Sequence, residues 1–267
     1  MSNAPSLLFE VSEQVATLTF NNPAKRNVFD GETRDRMADA VRQVRRDPGI
    51  RALIITGAGG HFCSGGDLRN IASAGLDTDG WRRRMRSLHE WLHELLTLDR
   101  PVIAAVDGAA AGAGFSLAMT ADFVLATPRA RFCMSFLKVG LVPDLAAFHT
   151  LPRIVGVQRA KELMLSARDV DAQEALRLGL VMELHEPQVL QARARAMARS
   201  FVGASPTAVS LVKRVLEQSP AAPLSALVEA EVNAQALAAS TAEHRQAVQC
   251  FLDKQPLPFA WPAQPGA

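Results

Sequence analysis

Asp144 is the only carboxylate in the apolar run GLVPDLAAFH, which spans residues 140–149. A surface turn of the Pro-Asp type would leave this side chain in water. Burial among apolar neighbours would instead raise the pKa of the carboxyl group and make its ionised form a stronger base. Asp144 is therefore a candidate acid-base residue, and its interpretation depends on what surrounds it.

The sequence HEWLH, residues 89–93, fits the H-E-x-x-H pattern in which two histidines one helical turn apart bind zinc. A catalytic zinc also needs a third protein ligand. The extended motif has a glycine and a histidine where this chain has Leu96 and Asp99, and no glutamate occurs between Glu94 and Glu162. We therefore interpret HEWLH as a partly exposed helix face and expect no metal site.

Two turns rich in small residues follow apolar runs. GAGGHFCSGGDLRN (57–70) comes after RALIITG, and DGAAAGAGFSLAMTADF (107–123) comes after PVIAAV. Glycine lets backbone N–H groups approach a ligand closely, and N–H groups at the start of a helix stabilise negative charge. The first turn does not match the common nucleotide-binding loops. Close packing would explain either turn alone, whereas two converging N–H groups would form an oxyanion hole.

The elements that must position these residues alternate between strand and helix. Apolar residues spaced by three and four place Trp81, Met85, Leu88, Leu92 and Leu95 on one helix face. The segment GETRDRMADAVRQVRRD predicts an earlier helix, the C-terminal third is mainly helical, and the final PLPFAWPAQPGA is too rich in proline for regular structure. The predicted strands are VATLTF (15–20), RALIITG (51–57), PVIAAVDG (101–108), DFVLAT (122–127) and GLVMEL (179–184).

The composition is that of a soluble globular protein: 267 residues, 48% hydrophobic and 21% charged, with 29 basic against 27 acidic residues. The chain is long enough for one large domain or for a domain with an appendage. The charge balance predicts no nucleic-acid surface, and no stretch predicts a leader or a membrane span, so we expect a cytoplasmic protein. Cys63, Cys133 and Cys250 are far apart and odd in number, which favours reduced thiols.

In combination, FCSGGDL, AAAGAGFSLAMTAD, KVGLVPD and LPRIVGVQRAKELMLSARDVDAQEALRLGLV resemble the crotonase (enoyl-CoA hydratase/isomerase) family from about Leu8 to Phe259. The resemblance implies an α/β crotonase fold, in which repeated ββα units form a spiral core, here 1–200. A C-terminal helical segment, 201–267, would then build a homotrimer or a dimer of trimers. It also implies an acyl-CoA thioester substrate, with coenzyme A entering as part of that substrate and no separate cofactor.

The resemblance further implies which residues form the site. The backbone N–H groups of Gly66 and Ala113 would hold the thioester oxygen, with Ala113 in place of a usual glycine. The candidates for binding coenzyme A are Ser64 and Asp67 in the first turn, Lys25, Arg26 and Arg69 as phosphate partners, and Phe251 and Lys254 near the C-terminus.

The departures from the family pattern indicate the reaction. Relatives that hydrate an enoyl-CoA use two glutamates, and this chain has Ser116 and Phe136 at those positions. Asp144 matches a third position, where some isomerases of the family carry an aspartate. A single acid can take a proton from one carbon and return it at another, which shifts a double bond. We therefore predict an enoyl-CoA isomerase, with Asp144 wrapped by Leu141, Val142, Leu145 and Phe148.

Other interpretations remain open. In 4-chlorobenzoyl-CoA dehalogenases the matching aspartate is a nucleophile and a histidine matches His89, but Phe136 stands where that pattern has tryptophan. Ser116 could position a water molecule for hydration or hydrolysis, and a member without both glutamates could bind CoA thioesters without catalysis. Phe62, Phe115, Phe136 and Phe148 lie near the motif turns and would suit an aromatic or long apolar acyl group.

Overall fold

The computed structural model describes residues 4–263, which form two sheets surrounded by helices. The strands are β1 (Leu7–Ser12), β2 (Val15–Phe20), β3 (Ala52–Gly57), β4 (Val102–Val106), β5 (Ala109–Ala111), β6 (Phe123–Ala126), β7 (Arg131–Cys133), β8 (Asp169–Asp171) and β9 (Glu183–Leu184). The helices are α1 (Gly31–Arg46), α2 (Leu68–Ala72), α3 (Thr78–Leu96), α4 (Ala113–Ala118), α5 (Ala147–Ser166), α6 (Ala172–Arg177), α7 (Pro187–Ser200), α8 (Pro206–Gln218), α9 (Leu224–Ala239) and α10 (Ala242–Leu252).

The larger sheet has the order β1-β2-β3-β4-β6-β9, and only the β1-β2 pair is antiparallel. Side chains alternate between its two faces, because successive residues of a strand point in opposite directions. Ile54 and Ile103 pack towards Met197 of α7, while Leu53 and Ile55 belong to the core that α1 and α3 cover. Helices on both faces explain why these strands are apolar along their whole length.

The smaller sheet, β5-β7-β8, holds the two glycine-rich turns together. The Cys63 N–H donates to the Ala109 carbonyl oxygen at 3.0 Å, and the Ala111 N–H donates to the Cys63 carbonyl oxygen at 2.9 Å. A Cβ on Gly114 would lie 2.2 Å from that Cys63 carbonyl oxygen, so a side chain cannot be accommodated there. The turn after β3 is therefore fixed against the start of α4.

The α/β crotonase fold is confirmed, including the helical C-terminal region. The predicted helices and four of the five predicted strands are present. The run GLVMEL is wrong as a strand over most of its length, because only Glu183–Leu184 pairs. Gly179, with φ +75°, ends α6, and the Leu180 and Val181 N–H groups both donate to the Ala175 carbonyl. The division at residues 1–200 and 201–267 stays a prediction.

The segment after α10 has no regular structure through residue 263, as its prolines predicted. It is nevertheless held in place. The buried Arg193 forms two 2.8 Å hydrogen bonds with Glu183 and also donates to the carbonyl oxygens of Pro262 at 3.1 Å and Ala263 at 2.7 Å. Separately, no helix within 4–263 has both the length and the apolar content needed to cross a membrane.

Candidate active site

A cavity of about 790 Å³ opens where the two glycine-rich turns meet α1, α3 and the segment that precedes α5. The sheet topology brings the two turns together, because β3 and β4 are parallel neighbours and the turns that leave them start at the same edge of the sheet. The polar or charged residues that line the cavity are Asp30, Arg34, Ser64, Trp81, Arg84, His89, Ser135, Lys138 and Asp144. Gly66, Gly112 and Ala113 also line it.

Gly66 and Ala113 both line this cavity, and each has a backbone N–H group. Neither group donates a hydrogen bond to another residue within the described part of the chain. The two turns touch at Gly65, where φ is +95° and an added Cβ would lie 2.8 Å from the Ala111 carbonyl oxygen and 3.6 Å from the Ala113 nitrogen. Ala113 begins α4, so its N–H lies at a helix N-terminus. The arrangement can stabilise an anionic oxygen.

Asp144 lines the same cavity. Its Oδ1 is buried and has no hydrogen-bond partner among the described residues. Burial raises the pKa of this carboxyl group to about 6, although a hydrogen bond from its own backbone N–H acts in the opposite direction. Leu145 and Ala146, which follow, have φ of +50° and +60°, and the fully buried Leu145 anchors this strained turn. The predicted pKa rise at Asp144 is confirmed.

The predicted apolar wrapper around Asp144 is only partly correct. Leu145 is buried, but Val142 is 72% exposed and Phe148 is 61% exposed, and Leu141 is also exposed. These three side chains border the cavity rather than seal it, because the chain between Gly140 and α5 runs along the surface. The cavity therefore has an apolar rim beside Asp144.

The two positions at which hydratases carry glutamates differ in their surroundings. Phe136 is buried and lines the cavity. Ser116 is fully buried outside the lining, and its hydroxyl donates to the Gly112 carbonyl oxygen at 3.3 Å, one turn back along the helix. The structure thus does not bring the Ser116 side chain to the cavity, and its hydroxyl is used within the fold.

Comparison with known proteins agrees with this geometry. The family described as Enoyl-CoA hydratase/isomerase matches residues 10–262. This chain belongs to that family. It is 35% identical to 1,2-epoxyphenylacetyl-CoA isomerase of Escherichia coli over 251 residues, which covers 93% of this chain and 96% of the relative.

Two further enoyl-CoA hydratase/isomerase relatives show that the similarity extends over the whole fold. A probable enoyl-CoA hydratase of Rhodobacter capsulatus is 34% identical over 254 residues, covering 95% of this chain and 97% of the relative. The crystal structure of an enoyl-CoA hydratase/isomerase from Cupriavidus metallidurans superposes with a TM-score of 0.91 at 46% identity, covering 99% of this chain and 100% of that one. The family is thus one of acyl-CoA enzymes whose names include both hydratases and isomerases.

In this member of the family, the two histidines of HEWLH lie in different places. His89 is exposed to solvent and lines the same cavity as Asp144. His93 lies in a separate surface groove beside Arg42 and Glu94. No three His, Cys, Asp or Glu side chains come together as a metal site between residues 4 and 263. The two histidines therefore face different surroundings.

Most of the predicted coenzyme A residues of this enoyl-CoA hydratase/isomerase lie near the first turn but outside the cavity lining. Ser64 lines the cavity, and Asp67 caps α2 by accepting from the Arg69 and Asn70 N–H groups. The Lys25 Nζ lies 3.9 Å from the Asp67 Oδ2. The exposed side chains outside the lining are those of Lys25, Arg26, Arg69, Phe251 and Lys254.

Of the four phenylalanines predicted near the turns, Phe136 and Phe148 line the cavity, whereas Phe62 and Phe115 are fully buried in the core. Several residues that line the cavity were not predicted from the sequence. The sequence did contain a signal for Trp81, because this residue lies on the predicted apolar face of α3, and it also lines the cavity. The other aromatic, polar or charged lining residues that were not predicted are Phe29, Asp30, Arg34, Arg84, Ser135 and Lys138.

Proposed function

We propose that this protein is an acyl-CoA isomerase that shifts a carbon-carbon double bond, with Asp144 as the proton carrier. One observation carries the proposal: Asp144 lines the cavity that Gly66 and Ala113 also line, and its carboxyl group has a pKa of about 6 and a buried oxygen without a hydrogen-bond partner among the described residues. A carboxyl group with such a pKa can give and take a proton near neutral pH.

The mechanism uses only groups of this chain and its substrate. The thioester oxygen would accept hydrogen bonds from the Gly66 and Ala113 N–H groups, which stabilises the dienolate formed when a carbon-bound proton leaves. Ionised Asp144 takes that proton, the electron pair of the broken C–H bond moves into the conjugated system, and the same carboxyl group returns a proton at a carbon two positions away. The product is an isomer of the substrate, so no oxidant, water or cofactor is consumed.

Hydration is disfavoured because the cavity offers too few available carboxylates for that reaction. Adding water across a double bond needs a base for the water and an acid for the carbon. The described lining contains two carboxylates, Asp144 and Asp30, and Asp30 Oδ1 accepts a 2.9 Å hydrogen bond from the Thr33 N–H as the cap of α1. Ser116 and Phe136 supply no replacement.

The test is incubation with a β,γ-enoyl-CoA in deuterium oxide, with product masses and double-bond positions read by mass spectrometry and NMR. We expect a shifted double bond, deuterium at carbon and no added water, and we expect Asp144→Asn to abolish the shift. The matched control is Asp171→Asn, since Asp171 caps α6 away from the cavity and asparagine caps equally well. Hydrated product from Asp144→Asn would refute the proposal, as would wild-type binding of the thioester without any turnover.

A second candidate is hydrolytic dehalogenation of an aryl-CoA, with Asp144 as nucleophile. The observation in its favour is that His89 and Asp144 line one cavity. Against it, the Phe136 ring has no N–H to hold the carboxylate, and Asp144 Oδ1 has no donor within the described chain. Halide release from 4-chlorobenzoyl-CoA would identify this activity.

We also propose that the working form is a homotrimer or a dimer of trimers. Large apolar side chains on α8, α9 and α10 face solvent in the single chain, and a surface of this kind favours association. Light scattering on the purified protein should give a mass three or six times the chain's 28.8 kDa, and a mass equal to one chain would refute the proposal. The side chains concerned are Val212, Leu216, Leu224, Val228, Val232, Leu237, Val248, Phe251 and Leu252.

A further inference from the structure

One wall of the active cavity carries positive charge that the proposed proton transfer does not use. Helices α1 and α3 pack against each other, and Arg34 of α1 and Arg84 of α3 both line the cavity. Both side chains are half-buried. The sequence from Trp81 to His89 of α3 lines the cavity at several points and extends about 12 Å along the helix axis. This wall is therefore long enough to contact a part of the substrate remote from Asp144.

Arg84 is oriented by an aromatic ring and has no anionic partner in the described chain. Its guanidinium carbon lies 5.3 Å from the centre of the Trp81 ring, which is a cation-π distance. No ion pair or hydrogen bond joins the Arg84 side chain to another residue within 4–263. A guanidinium that rests on a ring keeps its N–H edges free for an anionic oxygen.

Arg34 adds a second charge with spare donors. Its Nε donates to Asp35 Oδ1 at 3.0 Å, but Asp35 is 72% exposed and lies outside the cavity lining. The carboxylate nearest in sequence that does line the cavity is Asp30, and its Oδ1 caps α1. The lining as a whole contains Arg34, Arg84 and Lys138 against Asp30 and Asp144, so it carries an excess of positive charge.

The placement of Arg84 is selective rather than a general property of the arginine-rich helix. Helix α3 contains Arg82, Arg83, Arg84 and Arg86, and only Arg84 lines the cavity. The other three are exposed, and Arg82 pairs with Asp79 at 2.8 Å. One arginine of the four thus faces the substrate space.

We propose that Arg34 and Arg84 form an anion-recognition subsite that binds an anionic oxygen group of the thioester substrate. The group is either a carboxylate at the far end of the acyl chain or a phosphate of coenzyme A, and both would accept charge-assisted hydrogen bonds from guanidinium N–H groups. The inference deepens the proposed function, because it rests on this cavity receiving an acyl-CoA. It does not depend on which reaction Asp144 performs.

The experiment measures dissociation constants of saturated thioesters, which have no double bond to shift. Hexanoyl-CoA is compared with adipyl-CoA, which has the same length and a terminal carboxylate, and each is paired with its pantetheine thioester, which lacks the phosphates. The proteins are the wild type, Arg34→Met, Arg84→Met and the control Arg83→Met, since methionine keeps much of the apolar stem. Circular dichroism confirms that every variant is folded.

We expect each cavity variant to lose about tenfold in affinity for the anionic ligand it recognises, and Arg83→Met to lose nothing. A loss confined to adipyl thioesters identifies the acyl carboxylate. An equal loss for both CoA thioesters, absent for hexanoyl-pantetheine, identifies a phosphate. Unchanged affinities, or an equal loss for uncharged hexanoyl-pantetheine, would overturn the subsite. Because no turnover is measured, failure of the isomerase proposal would leave this result interpretable.

Discussion

Replacing Asp144 with asparagine should make the protein more stable at neutral pH while it abolishes isomerisation. The native fold disfavours the ionised carboxylate, since burial raises its pKa from 3.8 to about 6. Below pH 3.8 the carboxyl group is protonated in both the folded and the unfolded chain, so it imposes no penalty. Between these values the unfolded chain ionises first, and stability falls as pH rises. Above pH 6 the full penalty is present.

The size of that penalty follows from the pKa. A change from 3.8 to about 6 corresponds to no more than about 3 kcal/mol in the free energy of unfolding, at about 1.4 kcal/mol per pKa unit. Asparagine does not titrate, so the Asp144→Asn variant should exceed the wild type by up to this amount at pH 8. The advantage should shrink as pH falls through 6 and vanish near pH 3.8.

The assay is urea unfolding at a series of pH values, at one fixed protein concentration because association also stabilises the fold. Asp171→Asn serves as the control. The pKa of Asp171 is lowered, chiefly by the hydrogen bond from the Glu174 N–H, so its loss should bring no gain at pH 8. An Asp144→Asn advantage that is absent, or that does not change between pH 4 and pH 8, would show that burial does not raise the pKa of Asp144.

Four other perturbations test separate parts of the site. The wild-type kcat/KM should rise about tenfold per pH unit up to a pKa of about 6 and then level, because Asp144 must be ionised to take a proton; a flat profile would exclude it as the base. Ala113→Pro removes one N–H at a helix position that tolerates proline, so kcat should fall by about 100-fold or more with circular dichroism unchanged. Urea unfolding should show Gly65→Ala to be about 1–3 kcal/mol less stable than Gly66→Ala, since only Gly65 has a positive φ and a backbone oxygen in the way; equal stabilities would contradict this. Dialysis against a chelator should leave turnover unchanged, and stoichiometric zinc in the purified protein would revive the metal interpretation of HEWLH.

Sequence patterns predicted the central strands of the larger sheet but not its exposed edge strand β1, because the central strands are buried on both faces. A strand covered by helices on both faces reads as a continuous apolar run, and VIAAV of β4 is such a run. The same reasoning misplaced GLVMEL, because a buried loop after a glycine is equally apolar. The three-residue strands AAA of β5 and RFC of β7 carry no sequence pattern that distinguishes them from turns. They are strands because β5 and β7, which are distant in the sequence, pair with each other.

The site was predictable where it depends on local backbone and less so where it depends on packing between distant segments. Glycines at 65 and 66 and small residues at 112–114 indicate two turns with free donors. The inclusion of Arg34 and Arg84 depends on how α1 lies against α3, which no local pattern specifies. Exposure of Val142 and Phe148 likewise follows from the surface path of one segment.

Backbone groups are expected to bind the thioester oxygen and side chains to move protons, and this difference affects how such an enzyme can change during evolution. The groups expected to hold the thioester oxygen are amide N–H groups of Gly66 and Ala113, which every substitution except proline leaves in place. The groups expected to move protons are side chains at positions such as 116, 136 and 144, each of which one codon change can alter. A mutation at these positions can therefore change which protons are moved while the groups that hold the thioester oxygen stay in place. One scaffold can in this way acquire different reactions while its site for the thioester oxygen is retained.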